Sequence, residues 1–83
     1  MKKEEFYLTI LGKSVTITGG TKGMGFSYTG YVTDIIGDTV IIDNLVVVLS
    51  GIIMNIDHIE NHFHVNFDNG NEIFVSILDN FKQ

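Results

Sequence analysis

The stretch that decides the fold is Tyr28 to Ile59, YTGYVTDIIGDTVIIDNLVVVLSGIIMNIDHI. It is a run of β-branched residues broken only at Gly30, Gly37-Asp38, Asp43-Asn44 and Ser50-Gly51. Turn residues at such short intervals predict three or four short antiparallel strands bending round a small barrel. Gly30 falls inside the long strand Phe26–Ile36, where a barrel strand needs to bend. Gly37-Asp38 reads as a tight hairpin. Thr39–Asp43 and Leu45–Leu49 follow as strands. Residues Ile52–Ile59 are ambiguous, because Ile52, Ile56, Ile59 and Phe63 also recur at helical spacing. The β-branched residues and the neighbouring strands favour strand.

Outward from this stretch the pattern continues. Phe6–Leu11 alternates, with Phe6, Leu8 and Ile10 on one face, and reads as a strand turning at Gly12-Lys13. Ser14–Thr18 is the next strand, with Val15 and Ile17 inward. Gly19–Gly25 holds four glycines in seven residues and reads as a loop. The C-terminal end reads as a hairpin, His62–Phe67 and Glu72–Leu78, around Asp68-Asn69-Gly70-Asn71. Phe63, Val65 and Phe67 share a face, as do Ile73, Val75 and Ile77. Setting Phe67 opposite Ile73 buries both sets, which predicts an odd-numbered loop with a bulge.

The 83 residues make one domain, 1–83, with no internal repeat. A domain this small has a marginal core and often depends on a partner. The chain contains no Cys, Ala, Pro, Trp or Arg. The lack of Cys removes disulfide and thiolate-metal chemistry and suits a reducing compartment. With no long apolar segment near the start, the expected location is the cytoplasm. The net charge is −5, and the five lysines, Lys2, Lys3, Lys13, Lys22 and Lys82, are scattered. Nucleic-acid backbones are bound through clustered Lys and Arg, so nucleic acid is not an expected partner, nor is a membrane. An acidic balance suits a basic protein surface, or solubility alone.

The candidate sites are few. Gly19–Gly25 can offer backbone N–H groups to an anion, with Lys22 as counter-charge and a tyrosine to stack a ring. The ligand-binding candidates are therefore Gly20, Lys22, Gly23, Tyr28 and Tyr31. The loop lacks phosphate-loop spacing and no helix follows, so a plain connector is the competing reading. Tyr28 and Tyr31 have opposite parity and do not form one platform. His62 and His64 face the same way on a strand, as a shared metal would need. The inward demand of Phe63, Val65 and Phe67 instead places both on the solvent face, and no metal or cofactor is expected. Asp34, Asp38 and Asp43 sit mostly in turns and supply no acid–base pair. No catalytic residue is assigned and the chain is read as a non-enzyme. Leu45–Leu49 is apolar on both faces, beyond what one small barrel can cover. Leu45, Val47 and Leu49 are accordingly the candidates for a homo-oligomer interface.

About a third of the chain resembles the Sm-like family of small, strongly bent barrels, within the wider SH3-like class. Gly30-Tyr31-Val32, Ile35 and Val40-Ile41-Ile42 look like its first motif. Val48-Leu49-Ser50-Gly51 with Ile52-Ile53 looks like its second. The resemblance implies a barrel, ring-like association and, in most members, RNA binding. Three departures stand out. Ser50 takes the place of the family's base-contacting Arg, Ile36 lies near its Asp, and a strand pair is expected in place of its N-terminal helix. The C-terminal hairpin is an addition. Fold and function are thus expected to be an all-β barrel of seven or eight short antiparallel strands, acting as an oligomeric module. It would bind a protein partner or a small, nucleotide-like ligand. Small size and acidity also suit an inhibitor, of phage or mobile-element origin, that sequesters a host component. The alternative is an Sm-like nucleic-acid module. In filter binding with mixed-sequence RNA at ~150 mM salt, retention tighter than about 10 μM is not expected, because that range needs the phosphate contacts this chain lacks.

Overall fold

One strand organises the sheet. β2 (Met24–Ile36) is 13 residues long, and its two halves pair with different neighbours. Met24 to Tyr31 lies against β1 (Ser14–Thr21), while Val32 to Ile36 lies against β3 (Thr39–Ile42). A register shift between Val32 and Asp34 marks the changeover. β4 (Leu45–Val48), β5 (Ile53–Ile59), β6 (His62–Phe67) and β7 (Glu72–Ile77) complete an all-β, wholly antiparallel sheet of seven strands. The order is β4-β3-β2-β1-β7-β6-β5. The computed structural model describes residues 1–21, 24–48 and 52–78.

The sheet is not closed into a barrel, which corrects the sequence expectation: β4 and β5 are its two edges. A second correction lies at the other end of the chain. The segment read as a strand over Phe6–Leu11 is a helix, α1 (Lys3–Ile10), so the helix expected to be missing is present. Its buried residues, Phe6, Tyr7 and Ile10, fall at helical rather than alternating spacing. Glu4 and Glu5 occupy the first turn, where negative charge complements the helix dipole. The Glu5 carboxylate also accepts the Lys2 backbone N–H at 2.9 Å, the reciprocal half of a capping box. A six-residue apolar run is too short for its period to separate strand from helix. The helix adds Phe6, Tyr7 and Ile10 to the core on the inner face of the sheet, with Phe6 against Phe63 of β6. No helix among the described residues is long and apolar enough to cross a membrane.

The inner face follows the alternation read from sequence. Val15 and Ile17, Phe63, Val65 and Phe67, and Ile73, Val75 and Ile77 are all buried, and the structure adds Val40 and Ile42 to them. Residues 53–59 form a strand. Three connections have two residues each, Gly37-Asp38, Asp43-Asn44 and Glu60-Asn61. Asp43 and Asn44 take φ of 48° and 71°, the paired positive values of a type I′ hairpin. The β6–β7 loop is odd-numbered, as expected, with the three residues Asp68-Asn69-Gly70. Phe67 lies opposite Asn71, whose carbonyl accepts its N–H at 2.9 Å, and not opposite Ile73. The two-residue difference preserves parity, so both apolar sets remain inward.

Gly30 sits where β2 changes partners. A Cβ there would collide with the Asp43 carboxylate and stand 2.5 Å from Cγ2 of buried Ile42. Gly30→Ala is expected to lower stability by about 1–3 kcal/mol through overpacking, read as a lower urea midpoint at unchanged slope.

Candidate functional site

The sequence-derived ligand residues do not assemble into one site among the described residues. The glycine segment is mostly strand, not a seven-residue loop. Gly19, Gly20 and Thr21 pair with Phe26, Gly25 and Met24. Gly20 is flanked on its other side by Glu72, so its backbone belongs to the sheet ladder on both edges. A Cβ at Gly19 would lie 2.6 Å from the Glu72 carbonyl oxygen, so this glycine lets β1 and β7 approach. Lys22 and Gly23 lie outside the described residues. Tyr28 stands opposite Ile17 and packs, half-buried, against the core. Tyr31 stands opposite Ser14 on the other face and is exposed.

The interface candidates also separate. Val47 packs against the core beside Val40, while Leu45 is 43% exposed at the sheet edge. Leu49 lies outside the described residues. Val46, not singled out by the sequence pattern, is 59% exposed on the outer face of β4. Only burial could reveal this, since both faces of β4 are apolar in sequence.

The candidate carboxylates are dispersed. Asp34 accepts the N–H of its neighbour Ile35 at 2.8 Å. Asp43 lies in a turn beside Gly30. Asp38 acts structurally, since its Oδ1 accepts the Tyr7 hydroxyl at 3.0 Å and lies 3.4 Å from Lys3 Nζ. The β2–β3 turn is thereby tied to α1. Above this tie opens a cleft of about 350 Å³, lined by Lys2, Tyr7, Asp38, Met54, Asn55 and Phe67 among others.

His62 and His64 project from the outer face, as the alternation requires. The His62 imidazole is hydrogen-bonded to the Ser76 hydroxyl at 2.9 Å, and His64 Nε2 to Glu72 Oε1 at 2.7 Å. His58 lies on the inner face, stacked on Phe63 with ring centroids 4.2 Å apart. The three histidines border one cleft from the two faces, and no group of three metal-capable side chains occurs among the described residues. The Ser76–His62 pair resembles a nucleophile and its base. Among the described residues, no acid is hydrogen-bonded to His62 to orient it, and a nucleophile–base pair needs that third group.

Burial pushes the Tyr7 hydroxyl well above the ordinary phenol range, and the hydrogen bond and negative charge of Asp38 push it further. Because the folded state holds this proton more tightly than the unfolded chain, the linked stability is complete below pH about 10. It is lost as the pH climbs from there toward the folded-state value. Tyr7→Phe is expected to cost about 1 kcal/mol at neutral pH and to flatten the alkaline fall in stability, followed by denaturant titration across the alkaline range.

Compared with protein-family models, curated proteins and solved structures, the chain matches none.

Proposed function

We propose that the chain is a non-enzymatic binding module that assembles with copies of itself and engages a protein partner. The observation that carries this reading is the open sheet. β4 and β5 are edge strands, and a strand edge presents unpaired N–H and C=O groups that favour strand addition. Proteins commonly blunt such edges with charge or Pro, yet β4 is Leu45-Val46-Val47-Val48 with neither. Apolar side chains flank both edges: Leu45 and Val46 at one, Ile52, Met54 and Ile59 at the other.

Charge favours joining β4 of one copy to β5 of the next. Pairing β5 with its own copy would set Asp57 and Glu60 near their duplicates in an already acidic chain. Pairing β4 with β5 avoids this, because β4 carries no charge. A head-to-tail contact of this kind generates a ring if its rotation closes. The non-enzymatic part of the reading is supported by the dispersal of the candidate carboxylates and by the absence, among the described residues, of an orienting acid at the Ser76–His62 pair.

Light scattering tests the assembly. The wild-type mass is expected at a multiple of the 9.3 kDa chain. Val46→Lys is expected to return it to a single chain while leaving the circular dichroism spectrum unchanged, since Val46 is exposed in the isolated protein. A wild-type protein that remains a single chain at micromolar concentration overturns the proposal.

A further inference from the structure

The outer face of the sheet carries a cleft beside the β5 edge, with Ile59 belonging to both. Asp57 of β5 lies directly opposite His64 of β6, and His64 directly opposite Phe74 of β7, so the three form one cross-strand row. The His64 ring lies flat on Phe74, with centroids 4.3 Å apart and planes 9° apart. Glu72 fixes that ring through the 2.7 Å contact at Nε2. Asp57, His64 and Phe74, with Ile59 and His62 and with His58 and Phe63 reached at the edge of the sheet, line a cleft of about 370 Å³. Phe74 is 45% exposed, so part of this aromatic pair stays open in the isolated chain although His64 covers one ring face.

The charged residue lining the cleft, Asp57, is acidic, as is Glu72 beside it on β7. Of the ten acidic residues, only Glu4 and Glu5 precede Lys22, and the other eight fall between Lys22 and Lys82, a span with no Lys or Arg. Asp57 and Glu72 flank the aromatic pair. The Asp57 Oδ1 accepts the Asn55 side-chain amide at 3.1 Å. Its second oxygen has no hydrogen-bond partner among the described residues.

We propose that this cleft receives an arginine side chain from a basic protein partner, its guanidinium stacked on the exposed aromatic surface and paired with Asp57. The inference deepens the reading of the chain as a protein-binding module by naming the partner chemistry. Arginine fits better than lysine because a guanidinium is planar and weakly hydrated. It can lie on a ring face and still offer N–H donors in its plane to a carboxylate. A compact, strongly hydrated ammonium does this less well.

The test is an NMR titration with acetyl-Gly-Arg-Gly-amide and with its citrulline counterpart, which keeps the shape and loses the charge. The arginine peptide is expected to shift the amides of Asp57, His64 and Phe74, and the citrulline peptide to leave them unmoved. Asp57→Asn and Phe74→Ser, both at exposed positions, are each expected to weaken binding about fivefold, the scale of one exposed charged or cation–π contact. Shifts spread evenly over all the acidic residues overturn the proposal, as does equal binding of citrulline or no effect of either variant. Light scattering on the same samples separates the two proposals. Lost peptide binding at unchanged mass removes only the arginine site, and a single-chain mass with peptide binding intact removes only the assembly.

Discussion

Phe6 stands edge-on to Phe63, ring centroids 5.2 Å apart, and through this contact an eight-residue helix is seated on an unclosed sheet. Burying one aromatic side chain of this kind is worth about 2–3 kcal/mol, a large share of the stability of so small a domain. The dependence is mutual. An isolated helix of eight residues does not hold its shape in water. On the sheet side, Val15, Ile17, Val65 and Val75 share one buried cluster with Phe6, Tyr7 and Ile10 of the helix. The Tyr7–Asp38–Lys3 tie secures the same helix at the β2–β3 turn, so α1 is held by an apolar contact on the sheet and a polar one at a hairpin.

The outer face obeys different chemistry. Thr16 and Thr29 join hydroxyls across β1 and β2 at 2.9 Å, and His62 reaches Ser76 from β6 to β7 at the same distance. Such cross-strand pairs stabilise a sheet face exposed to water. Phe74 and His64 interrupt this polar surface with an aromatic pair. The sheet therefore offers two kinds of contact surface that meet at Ile59: apolar edges suited to another strand, and an acidic, aromatic face suited to a cation. A side chain docking on the face leaves the backbone groups of the edges free.

Much of the strand pattern was legible in sequence because alternation leaves a direct trace. Phe63, Val65 and Phe67 against His62, His64 and Asn66 is such a trace, and the burial of β6 follows it residue by residue. The turns at Gly37-Asp38 and Asp43-Asn44 were equally plain. The helix was not. Phe6, Leu8 and Ile10 alternate as well as any strand, and only the paired Glu4-Glu5 hinted at a helical first turn. The glycine segment misled in the opposite direction. Gly19 signals a close approach between β1 and β7 rather than a loop, a reason that belongs to the partner strand and leaves no mark nearby. Gly20 and Tyr28 part for a related cause: proximity in sequence does not survive pairing into a sheet, where alternate residues part to opposite faces.

The sequence by itself determined the all-β class, most strand and turn positions, and which side of β1, β6 and β7 seeks water. These follow from period-two alternation and from turn residues, both local. Only the tertiary structure decided that the sheet stays open, with β4 and β5 as edges, and that a helix packs on it. It also decided that Val47 joins the core while Val46 faces outward, and that Asp57, His64 and Phe74 meet in one row. Each of these depends on which segments lie side by side across distances of tens of residues. That choice is made by the summed burial of the whole chain, and no local pattern encodes it.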